Sequence, residues 1–128
     1  MEKHIRPGHT PVTPYLVVTD AARLLDFLEK AFGAEVLNKL ENLDGSVGHA
    51  EVRVNGQVLM CGTAKEQWKA MPATFSVYVA DCDAVFKSCV AAGGKVVYEP
   101  STHDYGDRSG GIEDPVGNLW WVTTHAAA

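Results

Sequence analysis

Hydrophobic and polar positions follow the same order twice along the chain, with the second copy 61 residues after the first. In each copy an alternating segment precedes an aspartate, and apolar residues then recur at the spacing of one helix face. The aspartates are Asp20 and Asp81, and the apolar positions are Leu24, Leu25, Leu28 and Ala31, then Val85, Phe86, Cys89 and Ala92. Aspartate is a favoured N-cap because its carboxylate accepts free N–H groups of the first turn. The pattern predicts two capped helices, which end at Gly33 and Gly94.

Shorter alternating segments predict strands on both sides of each helix. In the first copy they cover 13–18, 35–41, 49–54 and 58–62, with a hairpin turn at Asn55-Gly56. In the second they cover 74–79, 95–98, a short strand between the glycine-rich stretch 106–111 and the turn at Asp114-Pro115-Val116-Gly117, and 119–124. Each copy is therefore a β-α-β-β-β unit, the first over 12–65 and the second over 73–125. The prediction is an α+β fold made of tandem units, preceded by an arm without periodicity over 1–11.

Length and charge restrict the classes of partner. A chain of 128 residues is the size of one domain, so both units are expected to share the single domain 1–128. The 11 basic and 16 acidic residues give a net charge of −5, which makes nucleic acid and anionic membranes poor partners. Without an apolar run of about 20 residues or an apolar signal core, the expected location is the cytoplasm.

The cysteines and the glycine-rich stretch do not indicate a familiar site. Three cysteines without a CxxC pair favour neither a disulfide framework nor a thiolate zinc site. Cys61 and Cys89 fall on apolar faces and are expected in the core, whereas Cys82, beside the helix cap, is expected to be an exposed thiol. The stretch 106–111 is expected to be a loop, but it lacks the lysine of a phosphate-binding loop.

Alternation along the strands separates two faces of each sheet. One face is apolar and is expected beneath the helices: Leu16, Val18, Leu59, Cys61, Phe75, Val77, Val79, Trp120 and Val122. The other carries aromatic, hydroxyl and thioether groups: Thr13, Tyr15, Val17, Val58, Met60, Thr74, Ser76, Tyr78, Leu119, Trp121 and Thr123. Such a face, without charge, is typical of the wall of a ligand cavity. The alternative is that it packs against a second sheet or another subunit.

One predicted strand adds charged groups to this second face. His49, Glu51 and Arg53 alternate with Ala50, Val52 and Val54, so the three polar side chains share a side of the strand. His49 and Glu51 could act as a general base with an orienting carboxylate. The alternative is a solvated or salt-bridged strip beside Arg53.

Paired units with these endings resemble the vicinal oxygen chelate superfamily, which includes glyoxalases, bleomycin-resistance proteins and extradiol dioxygenases. The resemblance is carried by PYLVVTDAARLLDFLEKAFGAEVL in the first unit and YGDRSGGIEDPVGNLWWVTTH at the end, where D-P-x-G-N-x-W is the most specific motif. These stretches look like the PhnB-like branch. The resemblance implies that each unit curls a mixed sheet into a half-open cup, that two cups enclose one site, and that the protein is a homodimer.

The resemblance also locates the positions where enzymes of the superfamily hold a divalent metal. These lie on the first and last strand of each unit, and here they are Thr13, Met60, Thr74 and Trp121. None is a useful ligand for a hard or borderline ion, so no metal and no cofactor are expected at this site. A relocated site would need His49 and Glu51 together with a distant histidine such as His103 or His125.

Three functions remain open at the level of sequence. The leading hypothesis is a protein that binds a small organic, drug-like molecule in a metal-free cup, through Thr13, Tyr15, Met60, Thr74, Ser76, Tyr78 and Trp121, with Trp68 as a further stacking surface. The second is an enzyme, a lyase, isomerase or dioxygenase-like protein, that uses His49 and Glu51 or a relocated metal. The third is a structural dimer without a ligand.

Overall fold

The computed structural model describes residues 3–125 and contains the two predicted units. The elements of the first unit, in chain order, are β1 (Tyr15–Val18), α1 (Ala21–Phe32), β2 (Glu35–Glu41), β3 (Val47–Val54) and β4 (Gln57–Thr63). Those of the second are β5 (Thr74–Tyr78), α2 (Cys82–Ala91), β6 (Lys95–Thr102), β7 (Arg108–Glu113) and β8 (Leu119–Thr124). The predicted α+β fold of tandem β-α-β-β-β units is confirmed. No helix within these residues is long and apolar enough to cross a membrane.

Each unit forms one four-stranded mixed sheet with the same topology. The strand orders are β1-β4-β3-β2 and β5-β8-β7-β6. The pairs β1/β4 and β5/β8 are parallel, and the other pairs are antiparallel. The helix after the first strand of each unit supplies the crossover that parallel pairing requires. The Asn55-Gly56 hairpin forms as predicted, with φ of 46° and 89° at the two residues, as a two-residue turn with positive φ at both positions requires.

The helices begin at the predicted aspartates. The Asp20 carboxylate accepts the Arg23 N–H at 3.2 Å, and that of Asp81 accepts the Ala84 N–H at 3.1 Å. Helix α1 ends at Gly33, whose φ of 68° lies in the left-handed region that glycine adopts without strain. Helix α2 ends at Ala91 with Ala92 as C-cap, two residues before the predicted cap at Gly94.

The two units share a hydrophobic core. All the strand residues predicted beneath the helices are buried in this core or packed against it. The indole of Trp120 joins the units, because its ring centroid lies 5.2 Å from that of Phe32 in α1 and 4.5 Å from that of Phe75 in β5. Asn55 adds a polar link, since its side-chain amide donates to the Tyr78 carbonyl at 3.1 Å.

The D-P-x-G-N-x-W motif has a structural role. The buried Asp114 carboxylate accepts the backbone N–H groups of Val116 and Asn118, the Asn118 side-chain amide and the Trp120 indole N–H, at 2.8–3.0 Å. The Asn118 side-chain oxygen accepts the Ala73 N–H at 2.9 Å. The motif therefore fixes the turn before β8 and attaches the linker between the units to it.

Two predictions about local structure are wrong. Cys82 is buried, and its thiol donates to the Val122 carbonyl at 3.2 Å, because the first turn of α2 lies directly on β8. The glycine-rich stretch is not entirely a loop, since Gly110 and Gly111 lie inside β7. A Cβ at Gly110 would lie 2.8 Å from the Phe86 ring, so close packing of α2 on β7 accounts for this glycine.

Several element boundaries also differ. Strand β1 begins at Tyr15 rather than at 13, because Thr13 turns back to donate its hydroxyl to the Thr10 carbonyl at 3.1 Å. Strand β6 extends to Thr102, four residues beyond the predicted end. Of the predicted loop over 106–111, the part from Arg108 onward therefore belongs to β7.

Candidate functional site

Each sheet has a face turned away from its helix, and we call these faces the first cup and the second cup. Strand pairing defines one row of side chains across each. In the first cup, Tyr15 lies opposite Met60, Met60 opposite Glu51 and Glu51 opposite Asn38. In the second cup the corresponding row is Ser76, Trp121, Gly111 and Tyr98. The cups are thus built on the same register but carry different chemistry.

The first cup contains a chain of polar contacts. The Tyr15 hydroxyl lies 3.2 Å from His49 Nδ1, and His49 Nε2 lies 3.4 Å from Glu51 Oε2. Glu51 is buried, with only 4% of its surface exposed, whereas Tyr15 is half exposed. Burial raises the pKa of the Tyr15 hydroxyl, so the phenol keeps its proton at neutral pH. The structure therefore brings together the two residues predicted as an acid–base pair and adds Tyr15 to them.

The N-terminal arm completes the surroundings of Glu51. His9 Nε2 lies 3.5 Å from Glu51 Oε1, and the Arg6 guanidinium lies 3.9 Å from the same oxygen. The His9 side chain is buried, and its Nε2 has no hydrogen-bond partner within residues 3–125. Arg53, predicted beside Glu51, instead binds Glu35 at 2.9 Å. Sequence reasoning missed Arg6 and His9, because an arm without periodicity gives no signal of where it docks.

A depression of about 450 Å³ lies beside the Tyr15 hydroxyl. Its walls include Tyr15, Val17 and Trp68, and its floor is the bare backbone of Gly48 and Gly62. A Cβ at Gly62 would lie 2.9 Å from the Tyr15 hydroxyl oxygen and 2.6 Å from the Gly48 carbonyl oxygen. Glycine at position 62 therefore makes room for the Tyr15 hydroxyl, whereas a Cβ at Gly48 would meet Asn42 Oδ1 at 2.5 Å.

The second cup is aromatic. Tyr98 stacks on Trp121 with ring centroids 5.5 Å apart, and both belong to the row defined above. A Cβ at Gly111 would lie 2.9 Å from Cζ3 of Trp121, so the indole occupies the space that a side chain at Gly111 would need. A depression of about 460 Å³ lies beside this pair. It is lined by Ser76, Tyr78, His103, Tyr105, Asp107, Ser109, Trp121 and Thr123.

The structure does not assemble the relocated metal site. His103 Nε2 lies 2.8 Å from the Ser109 hydroxyl and His125 Nδ1 lies 2.6 Å from Asp107, both in the second unit and away from His49 and Glu51. Within residues 3–125 no group of three histidine, cysteine, aspartate or glutamate side chains could hold a metal ion.

The positions at which the resemblance locates a metal carry unsuitable donors. Met60 and Trp121 lie in the two rows, and Thr74 begins β5, whereas Thr13 lies before β1. Neutral hydroxyls, a thioether and an indole do not fit a divalent ion that prefers carboxylate and imidazole ligands. No step of a reaction is therefore assigned to a metal here.

The three cysteines are protected from reaction by burial. Burial raises the pKa of the Cys61 thiol to about 11 and that of Cys89 to about 12. The pKa of Cys82 is also raised, first by burial and then by the nearby Asp83 carboxylate. A thiol that stays protonated is a poor nucleophile, so these residues serve the core.

Comparisons with known proteins find relatives in sequence and solved structures that share this fold. The chain is 37% identical over 120 residues to an uncharacterized protein of Mycobacterium bovis, covering 85% of this chain and 79% of that protein. The crystal structure of TioX from Micromonospora sp. ML1 superposes with a TM-score of 0.78 at 26% identity, over 91% of this chain and 98% of that one. A PhnB protein from Bacillus cereus, at 21% identity, shares the fold with a TM-score of 0.69 over 90% of this chain and 99% of its own. Residues 4–122 match the model of one family, so the chain belongs to the Glyoxalase/Bleomycin resistance protein/Dioxygenase superfamily.

Proposed function

We propose that this chain is a small-molecule binding protein of the glyoxalase/bleomycin-resistance type, which holds a planar organic, drug-like ligand in a metal-free cup. The observation that carries the proposal is the depression of about 460 Å³ lined by the aromatic side chains of Trp121, Tyr78 and Tyr105, in which Trp121 is held by stacking on Tyr98. Aromatic walls bind flat ligands through large apolar contact and offset stacking. The depression also falls within the usual size of ligand pockets. Thr74, Ser76 and Tyr78 belong to the same proposed wall.

We propose further that the protein is a homodimer in which the first cup of one copy faces the second cup of the other. The depression in the first cup is lined by residues between 15 and 68, and that in the second by residues between 76 and 123. Each is open, and Tyr15, Tyr78 and Tyr98 are exposed in the single chain. Pairing between copies would cover these rings. The D-P-x-G-N-x-W motif and the fold shared with a PhnB protein favour the PhnB-like branch.

Calorimetric titration with acridine, a flat three-ring probe, tests the binding function. We expect saturable binding that is at least tenfold weaker in Trp121→Leu, because the stacking surface is lost. Leu43→Ala is the matched control, since Leu43 is fully exposed at the turn between β2 and β3 and lies outside both cups. Equal affinity in the wild type and Trp121→Leu, or no binding of acridine, would reject the second cup as the site.

Complementation between two variants tests the shared site. Sedimentation should first give twice the 13.8 kDa mass of one chain. If each cavity combines Trp68 of one copy with Trp121 of the other, Trp68→Leu and Trp121→Leu each weaken both sites. Their mixed dimer then contains one intact site and one doubly altered site. Because random pairing makes about half of the dimers mixed, recovery of about a quarter of all acridine sites after joint refolding supports the model, whereas an unchanged sum of the two variants contradicts it.

The second candidate function is proton-transfer catalysis in the first cup, supported by the continuous contacts from Tyr15 through His49 to Glu51. Such a chain suits an enzyme that removes a proton next to a carbonyl group. The test is deuterium incorporation into dihydroxyacetone in D2O, followed by NMR. Exchange above the buffer rate that is abolished in His49→Ala, but not in His103→Ala in the other cup, would support an enzyme. Exchange at the buffer rate rejects it for this carbonyl class.

A further inference from the structure

We propose that the first cup selects planar aromatic ligands that carry a hydroxyl or N–H group, which donates a hydrogen bond to the Tyr15 hydroxyl oxygen. The inference rests on the proposed ligand-binding function and adds the chemical class of the ligand. It follows from the direction in which the hydrogen bonds of the first cup run, and from the open space beside Tyr15.

Glu51 sets the donor-to-acceptor direction of the hydrogen bonds in the first cup. An ionised carboxylate only accepts hydrogen bonds, so His49 must place its proton on Nε2, which faces Glu51 Oε2 at 3.4 Å. A neutral imidazole with its proton on Nε2 has a lone pair on Nδ1. The Tyr15 hydroxyl, 3.2 Å from Nδ1, therefore donates a hydrogen bond to His49 Nδ1. The lone pairs of the Tyr15 oxygen remain to accept a hydrogen bond.

The arm places two nitrogen-bearing side chains against the other carboxylate oxygen of Glu51. His9 Nδ1 lies 3.3 Å from the Pro7 carbonyl, which only accepts, so Nδ1 carries a proton. His9 Nε2 faces Glu51 Oε1 at 3.5 Å. Arg6 adds a permanent positive charge 3.9 Å from the same oxygen. The contacts of the arm therefore lie on Oε1 and leave Oε2 to face His49.

The space beside Tyr15 fits a flat ring with a donor at its edge. The depression of about 450 Å³ has a side-chain-free floor at Gly48 and Gly62, next to the Tyr15 oxygen. Trp68 is exposed at the rim, and reciprocal backbone hydrogen bonds with Lys65, at 2.8 and 3.1 Å, hold its turn. Lys65 also lines the depression, so an anionic probe is needed to separate the effect of its charge from the hydrogen bond to Tyr15.

Three naphthalene probes test the donor requirement by calorimetric titration: 2-naphthol, 2-methoxynaphthalene and 2-naphthoate. The ring is constant, and only the group presented to Tyr15 changes. We expect wild-type protein to bind 2-naphthol roughly tenfold more tightly than the methyl ether, as one additional hydrogen bond allows. In Tyr15→Phe this ratio should fall to about one. Ser88→Ala, which removes a hydroxyl from α2 outside both cups, should leave the ratio unchanged.

A second variant keeps the Tyr15 hydroxyl but removes the acceptor that orients it. In His49→Ala the Tyr15 hydroxyl has no acceptor and can donate to the ether oxygen, so the ratio should shrink through stronger binding of 2-methoxynaphthalene. Tighter binding of 2-naphthoate than of 2-naphthol would assign the pocket to anions and overturn the inference. Equal binding of the naphthol and the ether in the wild type would overturn it while leaving a ligand-binding cup intact. Failure of all three probes to bind, together with acridine, would reject both proposals.

Discussion

The two cups show how one register of strands supports two kinds of surface. Glu51 in the first cup and Gly111 in the second occupy matching places, opposite Met60 and Trp121 respectively. In the first cup the side chain at this place is a buried carboxylate surrounded by histidine, arginine and tyrosine. In the second the glycine leaves room for the Trp121 indole. The same place in the two rows therefore holds a buried carboxylate in the first cup and a glycine packed against the Trp121 ring in the second.

The cups also differ in how their last hairpin is fixed. In the first unit, backbone conformation at Asn55-Gly56 makes the turn. In the second, the buried Asp114 carboxylate organises the turn by accepting four hydrogen bonds. A turn that depends on one carboxylate is more vulnerable to a single substitution, because removing it leaves several donors unsatisfied in the interior. The second cup should therefore be the easier of the two to disrupt.

The largest effect is expected for Asp114→Ala. Four donors would lose their acceptor, including the Trp120 indole N–H at the junction between the units. We expect a loss of about 4 kcal/mol in the free energy of unfolding, measured by urea denaturation. Glu113→Ala, an exposed carboxylate one residue earlier, is the matched control and should change stability by less than about 0.5 kcal/mol. Similar losses in the two variants would show that the network does not anchor the turn.

Gly111→Ala should have the next largest effect, because the new Cβ would lie 2.9 Å from the Trp121 ring. We expect destabilisation of about 2 kcal/mol, typical of overpacking, with displacement of the indole. The control is the same substitution in a Trp121→Leu background, where the obstacle is absent. A double-mutant cycle in urea should give a coupling energy above about 1 kcal/mol. Additive losses would mean that contact with Trp121 is not the reason why position 111 requires glycine.

The third effect concerns the first cup. Glu51→Gln keeps the shape of the side chain but removes the charge that holds His9 and Arg6, so the arm should detach from the sheet. We expect a loss of about 1.5 kcal/mol in unfolding free energy and faster hydrogen exchange over residues 6–10. Glu35→Gln, at the exposed ion pair with Arg53, should cost less than about 0.5 kcal/mol. Unchanged exchange in the arm would contradict the proposed role of Glu51.

The alternation of apolar residues was sufficient to predict the fold, because strand faces and helix stripes depend on local periodicity. It also placed His49 and Glu51 on one face, since residues two apart on a strand point the same way. The contribution of His9 and Arg6 was not predictable, because docking of an aperiodic arm depends on contacts distant in sequence. For the same reason Gly110 and Gly111 were interpreted as loop residues. Their neighbours Phe86 and Trp121, which require glycine there, come from other elements.

The smallest effect distinguishes how the two helices are attached to their sheets. Helix α1 buries six residues and α2 only three, so α2 has less apolar contact to hold it. An ion pair compensates: Arg108 in β7 donates from Nε and Nη2 to the two Asp83 oxygens in α2, at 2.9 and 3.0 Å. The matching position in β3 is Gly48, so the first unit has no equivalent pair at that place.

The hydrogen bonds from Arg108 lower the pKa of Asp83 below its usual value of 3.8. A lowered carboxyl pKa stabilises the fold above the unfolded pKa, and this contribution is lost as pH falls through the folded value. We therefore expect Arg108→Gln to be slightly less stable than the wild type at pH 7, with the difference vanishing as the pH falls below the lowered pKa of Asp83. The pair is about half exposed, so 0.5 M NaCl should also reduce the difference. A difference that persists unchanged at low pH would mean that Arg108 acts through packing of its aliphatic chain on α2, and that the two helices are attached by apolar contact alone.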